Sequence, residues 1–168
     1  MLKEITPNAT ENPAGVSSEP VDFNQIRTPE LYFGQQFRRA PIANVPEPIL
    51  TENVTATIPT ILSPNLAYVG GTWKNNADNF ELLSENGSVA LKFYAKSVNI
   101  VADGNASLNV FLDGKLLSPE IYGENNTNST ISVTNSTIYR LVETSEYAVH
   151  ELRFDVTGKF RIFTFTFG

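Results

Sequence analysis

The run from Trp73 to Asp78 contains residue types that bind sugars in proteins. An aromatic ring can lie against the C–H face of a pyranose, while amides and carboxylates bind its hydroxyl groups. Asn75, Asn76 and Asp78 follow the tryptophan closely in the sequence. The run therefore predicts a candidate carbohydrate-binding site, although a single tryptophan in a small domain also commonly fills the hydrophobic core.

Two tyrosines could extend this aromatic platform. Tyr94 alternates with the apolar Phe93, so it is predicted to face outward between Lys92 and Lys96. Tyr139 is the second candidate. Exposed tyrosines on strands also occur without a ligand, and the sequence leaves that alternative open for both residues.

The motif Asn-X-Ser/Thr, which asparagine-linked glycosylation requires, occurs seven times. The 168-residue chain has 17 Asn and 28 Ser plus Thr, a composition that gives about three such motifs by chance. The excess predicts a surface exposed to a glycosylating compartment, although an Asn- and Thr-rich chain also produces motifs by accident. The candidate asparagines are Asn8, Asn53, Asn86, Asn105, Asn125, Asn128 and Asn135.

No combination of residues in the chain predicts catalysis. Cysteine is absent, which excludes thiol redox chemistry, disulfides and thiolate zinc sites. His150 is the only histidine, and we expect it at the surface or in a turn. No two carboxylates stand out as an acid–base pair, and no phosphate-binding or calcium-binding loop motif occurs. We therefore expect a protein that is not an enzyme, with no catalytic residue, metal or cofactor.

The charge balance argues against nucleic acid as a partner. The formal net charge is -6 and the sequence pI is about 4.8. The twelve lysines and arginines are scattered, whereas phosphate binding needs them clustered. No stretch approaches the roughly 18 consecutive apolar residues of a membrane-spanning helix, so we expect no membrane insertion by this segment.

From Leu66 onward, apolar residues recur with a period of two, which is typical of half-buried strands. Val89, Leu91, Phe93 and Ala95 share one face of such a strand. Roughly nine short strands at spacings of about 8–12 residues, with almost no helical pattern, favour a two-sheet architecture. The predicted fold is an all-β jelly-roll sandwich of about 8–10 antiparallel strands.

Three short runs predict the turns between these strands. Asp113-Gly114 is typical of a hairpin, because both residues tolerate a positive φ. Turns are also predicted at Asp103-Gly104-Asn105 and at Thr157-Gly158-Lys159. Each of these runs would end one strand and begin the next.

The chain divides into a tether and a domain. Residues 1–27 are rich in Pro, Asn, Glu, Ser and Thr without a sustained period, so they are predicted to form a flexible linker. Residues 28–168 are predicted to form the sandwich. Within it, residues 40–64 contain five prolines, which exclude a helix and favour an extended arm on the surface.

Several motifs in the domain resemble one known family. They are Thr28-Pro-Glu-Leu-Tyr-Phe-Gly34, Tyr68-x-x-Gly71-x-Trp73, Ala95-Lys-Ser-Val-Asn-Ile-Val101, Tyr139-Arg-Leu-Val142 and Phe163-Thr-Phe-Thr-Phe-Gly168. In this order they resemble the C-terminal domain of DipZ-type thioredoxin-like proteins, which belong to the cytochrome c biogenesis and thiol–disulfide interchange group.

The resemblance covers about residues 28–168 and carries three expectations. The fold would be similar to carbohydrate-binding modules. A thioredoxin-like domain would lie directly upstream, often behind a membrane-embedded electron-transfer domain. The location would be the outer face of the cytoplasmic membrane or the cell surface, within a larger membrane-anchored protein. Because residues 1–20 lack the apolar core of a signal peptide, the export signal or anchor is expected upstream.

Three functions remain open on the sequence. The first is a non-catalytic accessory domain that docks the upstream thioredoxin-like domain or a redox client protein. The second is a carbohydrate-binding module for cell-surface glycans. The third is a structural surface or filament subunit that pairs through edge strands and its tail. An apolar patch near residues 28–40 would favour docking, and an exposed aromatic strip would favour sugar binding.

Overall fold

A computed structural model describes residues 20–117 and 130–168 of the chain. This part of the chain contains eight strands and no helix, as the sequence predicted. The strands are β1 (Leu31–Tyr32), β2 (Asn53–Ala56), β3 (Ala67–Asn75), β4 (Phe80–Leu82), β5 (Asn86–Leu112), β6 (Lys115–Leu116), β7 (Thr130–Val133) and β8 (Thr137–Phe167).

The first layer of the sandwich is built around the middle of β8. Residues 148–157 pair with residues 86–95 of β5 on one side and with residues 107–112 on the other. The first half of β3 extends this layer beyond residues 86–95. Strands β6 and β7 complete it at the opposite edge. All of these pairings are antiparallel, and they bring segments that are far apart in sequence side by side.

The second layer is built around the middle of β5. Residues 97–102 pair with residues 137–143 at the start of β8 and with residues 162–167 at its end. The short strands β1 and β4 pair with the outer side of the last part of β8. Strands β3 and β2 continue the layer beyond β4. The two long strands therefore serve both layers of the sandwich.

Glycines with positive φ allow the long strands to pass between layers. Gly104 in β5 has a φ of 134° and Gly158 in β8 has a φ of 106°, a region that residues with a side chain rarely adopt. A Cβ atom at Gly104 would overlap the carbonyl oxygen of Lys159. The predicted turns at Asp103-Gly104-Asn105 and Thr157-Gly158-Lys159 are therefore wrong, because the strands bend there and continue.

The core between the layers is aromatic and aliphatic. The predicted inward face of Val89, Leu91, Phe93 and Ala95 is confirmed, since all four are buried. Burying a large apolar side chain contributes about 1.5–3 kcal/mol relative to leaving it exposed. The largest fully buried side chains are Trp73, Phe33, Phe80, Phe93, Phe154, Phe160 and Phe165.

The proline-rich arm lies across the first layer, as predicted. Apart from β2, residues 40–64 contain no regular strand and no helix. Leu62 of the arm is buried against Tyr68 and Ala90 on the outer face of the sheet. The Asn44 side chain fixes the arm, since its amide donates to the carbonyl of Thr57 at 3.0 Å and to that of Val69 at 2.6 Å.

The remaining turn prediction, the Asp113-Gly114 hairpin, is confirmed. Asp113 and Gly114 have φ angles of 51° and 79°, and they join β5 to the antiparallel β6. Within residues 20–117 and 130–168, no helix has the length and apolar character required to cross a membrane.

We expect Gly104→Ala to destabilise the domain more than Gly114→Ala. Both glycines have positive φ, but only Gly104 would place its new Cβ against backbone, while Gly114 has open space around it. Strain alone predicts a loss of about 1–2 kcal/mol at Gly114, and the added overlap predicts about 2–5 kcal/mol at Gly104. Urea unfolding of the two variants measures the difference, and equal losses would contradict a close crossing at Gly104.

Candidate functional site

Trp73 lies in the core and not on a binding surface. Its side chain is fully buried, and its indole Nε1 donates a hydrogen bond of 2.9 Å to the carbonyl oxygen of Gly70. The ring packs against Phe80 and Phe160, with centroid distances of 6.4 and 6.2 Å. Because no face of the indole reaches the surface, the predicted sugar platform at Trp73 is corrected to a core residue.

Asn75 is also buried, and its side chain joins three segments of the chain. The amide donates hydrogen bonds to the side chain of Gln35 and to the carbonyl oxygens of Pro48 and Ile49. Its oxygen accepts a hydrogen bond from Arg38. The amide is thus fully engaged within the protein, and the predicted role in sugar binding is replaced by a structural one.

The Arg38 guanidinium occupies the centre of this cluster. It donates to the carbonyl of Phe33 and to Asn75, and it forms an ion pair with Glu47 at 3.0 Å. Its carbon lies 5.1 Å from the centroid of the Phe80 ring, a cation–π contact. Burial lowers the pKa of Arg38 from its ordinary value, and Glu47 opposes that shift.

Asn76 and Asp78 lie in the turn between β3 and β4. The Asn76 amide donates to Asn79 at 3.0 Å and to Glu81 at 3.2 Å. Asp78 is exposed, and it accepts a hydrogen bond of 2.6 Å from Asn79. These contacts stabilise the turn, so the structure does not gather the predicted polar residues around an aromatic face.

Tyr94 is partly buried, and one face of its ring is covered. The Arg27 guanidinium lies 4.7 Å from the ring centroid. The backbone of Tyr94 is bonded on both sides, because its N–H donates to Thr28 Oγ1 and its carbonyl accepts from Arg27. The alternation along the strand predicted that the Tyr94 ring faces outward. The segment before β1 packs over that ring, so it is only partly exposed.

Tyr139 is buried, contrary to its predicted role as an exposed platform. Its hydroxyl accepts hydrogen bonds of 3.2 Å from the backbone N–H groups of Thr134 and Asn135. It also donates one of 2.7 Å to the Asn135 carbonyl. The phenol therefore holds the turn between β7 and β8.

His150 is paired with a carboxylate, a contact that the sequence did not indicate. Its Nδ1 lies 2.7 Å from Oδ2 of Asp113, and Oδ1 of the same carboxylate accepts from the backbone N–H of Glu151 at 2.9 Å. The hairpin at Asp113 is thereby attached to β8. This arrangement gives His150 the turn-stabilising role that was expected of it.

Four of the seven predicted glycosylation sites lie within the described residues, and all four asparagines are exposed. They are Asn53, Asn86, Asn105 and Asn135. The other three, Asn8, Asn125 and Asn128, lie outside the described residues. Exposure is a requirement for modification by a bulky glycan, and occupancy of these sites stays a prediction.

Three exposed apolar side chains project from the segments that Asn75 joins. Phe37, Ile49 and Leu50 are 54%, 72% and 45% exposed, and we call these three residues the loop-end surface. Phe37 lies 6.3 Å from the ring of Tyr32, measured between centroids. Tyr32 donates a hydrogen bond of 2.7 Å to Glu30, which raises the pKa of its phenol.

A second surface feature is a groove on the outer face of the first layer. It has a volume of about 470 Å³ and lies between the arm and the middle of β8. Besides Thr57 of the arm, its polar side chains are Asn86, Ser88, Arg153, Asp155 and Thr157. The sequence did not indicate that these strand residues lie together. The pairing of β5 with β8 brings Asn86 and Ser88 beside Arg153, Asp155 and Thr157.

The sequence of the domain matches a family model along its whole length. Residues 28–168 match the model described as the thioredoxin-like C-terminal domain. The chain belongs to this family. The resemblance drawn from the five motifs is thus confirmed at the level of the family, and the thioredoxin-like C-terminal domain occupies the residues that the sequence assigned to the sandwich. No curated protein sequence matches the chain significantly.

Several solved structures are similar to this thioredoxin-like C-terminal domain, and one of them reaches a TM-score of 0.50. An active-site mutant of a family two carbohydrate esterase from Clostridium thermocellum is 17% identical over 61% of this chain and 31% of its own, with a TM-score of 0.50. A family two carbohydrate esterase from Cellvibrio japonicus has a TM-score of 0.42, at 15% identity over 69% of this chain and 34% of its own. The chain thus spans about a third of each esterase.

A further structure is that of CsCBM6-3 from Clostridium stercorarium in complex with cellobiose. It is 17% identical over 70% of this chain and 92% of its own, with a TM-score of 0.36. At these identities the likeness concerns the fold alone. The all-β sandwich itself is established by the strands of the described residues.

We expect Asn75→Ala to lower the free energy of unfolding by about 3 kcal/mol, because several buried hydrogen-bonding groups lose their partner together. Asn109→Ala is the matched control, since the Asn109 side chain is exposed and accepts one bond from Thr130; its expected effect is within about 0.5 kcal/mol. Chemical denaturation measures both. Wild-type stability of Asn75→Ala would contradict the structural role and return this residue to the ligand-binding candidates.

Proposed function

We propose that this chain is a non-catalytic accessory domain that docks a thioredoxin-like partner through the loop-end surface. The observation that carries the proposal is the exposure of Phe37, Ile49 and Leu50. The segments that carry them are held by hydrogen bonds to the buried Asn75 side chain. An apolar patch near residues 28–40 is the feature that would favour docking, and Phe37 lies in that range. Apolar side chains exposed in a group are characteristic of interaction surfaces.

The loop-end surface is held in place before any partner arrives. Gln35 and Ile49 are both bonded to the Asn75 amide, and the backbone N–H of Thr51 donates to the Asn75 carbonyl at 2.7 Å. Gly34 packs so closely against Asp78 that a Cβ atom would overlap its backbone. Little conformational entropy is then lost on binding, which favours affinity.

The family description supports the identity of the partner. A domain named as the C-terminal part of thioredoxin-like proteins has a thioredoxin-like domain as its neighbour, as in the DipZ-type proteins that its motifs resemble. Because the chain has no cysteine, any thiol–disulfide chemistry belongs to that neighbour or to a redox client. The role of this domain is then to position the partner.

We propose that the domain has no catalytic activity of its own, and the surroundings of its histidine support this. The one histidine is held by Asp113 at the hairpin, and within residues 20–117 and 130–168 no hydroxyl group is hydrogen-bonded to it. An acyl-transfer site requires a nucleophilic hydroxyl that is hydrogen-bonded to a base such as histidine. We therefore assign the domain a binding role.

We place the domain on the outer face of the cytoplasmic membrane or at the cell surface. The exposure of Asn53, Asn86, Asn105 and Asn135 supports this location, because each could carry a glycan without disturbing the core. The expected anchor is in the larger protein that also carries the thioredoxin-like domain.

Binding can be measured with an isolated thioredoxin-like domain from a protein in which it directly precedes a domain of this family. We expect saturable binding in an NMR titration, and at least about a tenfold weaker affinity for Phe37→Ser and Ile49→Ser, because both remove apolar contact area. Ile61→Ser is the matched control, since Ile61 is 85% exposed but lies beyond β2, next to Leu62, which packs on the outer face of the first layer. Its affinity should equal that of the wild type.

Two outcomes would overturn the proposal. If the wild-type domain shows no binding at millimolar partner concentration, docking of a thioredoxin-like domain is refuted. If binding occurs and Phe37→Ser leaves it unchanged, the partner uses another surface. Thermal unfolding of each variant separates a lost contact from a lost fold.

A further inference from the structure

The groove on the first layer is open because three of the residues that line it, Gly70, Gly71 and Gly87, have no side chain. Gly70, Ser88 and Asp155 are neighbours on adjacent strands, in one row across the sheet. A Cβ atom at Gly70 would collide with the Ser88 hydroxyl and would lie 3.6 Å from a side-chain carbon of Ile58. Any larger residue at position 70 would therefore fill the groove.

One wall of the groove is the arm, and it is fixed to the sheet. The Asn44 amide donates to the carbonyls of Thr57 and Val69, and its oxygen accepts from the N–H of Val69. These bonds hold residues 56–58 of the arm at a fixed distance from the sheet. The opposite wall is formed by Arg153 and Asp155 of β8. The groove is thus a preformed feature of the sandwich.

Ser88 carries a nearly buried hydroxyl group for which the described residues provide no hydrogen-bond partner. The residue is only 9% exposed, and among residues 20–117 and 130–168 no hydrogen bond is formed by its Oγ atom. The Ser88 Oγ atom lies next to the position that a Cβ atom of residue 70 would occupy, so the hydroxyl points into the groove. A buried polar group without a partner is costly unless a ligand or water completes it.

The walls offer further unused donors and acceptors. Arg153 donates through Nε to Oδ1 of Asp155 at 3.0 Å, which leaves its two terminal nitrogens and Oδ2 of Asp155 facing solvent. The Asn86 oxygen accepts from Thr157 at 3.1 Å, and because Asn86 is also a predicted glycosylation site, its amide nitrogen is not assigned to the ligand. Donors and acceptors are therefore present side by side.

We propose that this groove binds a neutral, hydroxyl-rich ligand, namely a segment of an oligosaccharide. Arg153 and Asp155 cancel in charge, so neither an anion nor a cation is favoured. A sugar hydroxyl both donates and accepts, and it matches the mixture of unused groups around Ser88. The apolar side chain of Ile58 lies next to the polar floor and can contact the C–H groups of the ring.

Two further features distinguish a saccharide from an extended peptide. Ser88 is paired with Gly70 on one side and with Asp155 on the other, and Asp155 is also paired with Asn109, so the middle of the floor has no free edge to which a peptide strand could add. The volume of about 470 Å³ falls within the range of small-ligand sites, about 300–1,000 Å³. The groove lies apart from the loop-end surface, so this proposal is independent of the docking function.

The test is a glycan array that carries neutral and uronate-containing oligosaccharides, followed by calorimetric titration with the best binder. We expect binding to neutral glycans. Asp155→Asn and Ser88→Ala should each weaken it by about 3–10-fold, because each removes one hydrogen bond to the ligand. The matched control is Asp103→Asn, since Asp103 forms a comparable surface ion pair with Arg161 away from the groove. This control should bind like the wild type.

Three results would overturn the proposal. The first is a blank array together with no saturation-transfer NMR signal from millimolar cellohexaose, maltohexaose and mannopentaose. The second is binding that Asp155→Asn and Ser88→Ala leave unchanged, which would place the sugar elsewhere. The third is a preference for uronates, which would contradict the balance of charge. Unfolding curves of both variants confirm that the fold is retained.

Discussion

The buried guanidinium of Arg38 imposes a constraint on which one end of the domain depends. A charge removed from water must be surrounded by acceptors, and here they come from three separate segments: the Phe33 carbonyl, the Asn75 side chain and Glu47. Satisfying this single group fixes the loop after β1, the start of the arm and the end of β3 relative to one another. The backbone segments that carry the loop-end surface are held in place by this polar cluster.

Glycine has two different uses in the rest of the sandwich. At Gly104 and Gly158 the positive φ allows β5 and β8 to bend from one layer into the other. At Gly70 the missing side chain leaves room above the sheet. The same residue type therefore creates the two-layer architecture in one place and a binding groove in another.

The parts of the fold that depend on local pattern could be predicted from the sequence. The alternation of Val89 to Ala95 identified a half-buried strand, and Asp113-Gly114 identified a hairpin, because each depends on neighbours in the chain. Gly104 and Gly158 were interpreted as turns, since positive φ is required equally by a turn and by a bend within a continuous strand. Only the pairing of distant strands distinguishes these alternatives.

The candidate sites were less predictable for a related reason. Trp73 and Asn75 carry the chemistry of sugar recognition, but residues of these types also complete a core, and burial is decided by the whole fold. The Arg38 cluster and the groove at Ser88 and Asp155 are formed by residues far apart in sequence. No spacing in the sequence indicated that they would meet.

The shared use of β5 and β8 by both layers has a consequence for how the domain folds. Asn86 and Thr157, which are 71 positions apart, are direct neighbours in the sheet. Contacts of such long range require large loops to close before they stabilise anything, which makes folding slow and strongly cooperative. Neither layer can form without the other, so a proteolytic cut within β8 would unfold the whole sandwich and would not release a stable half.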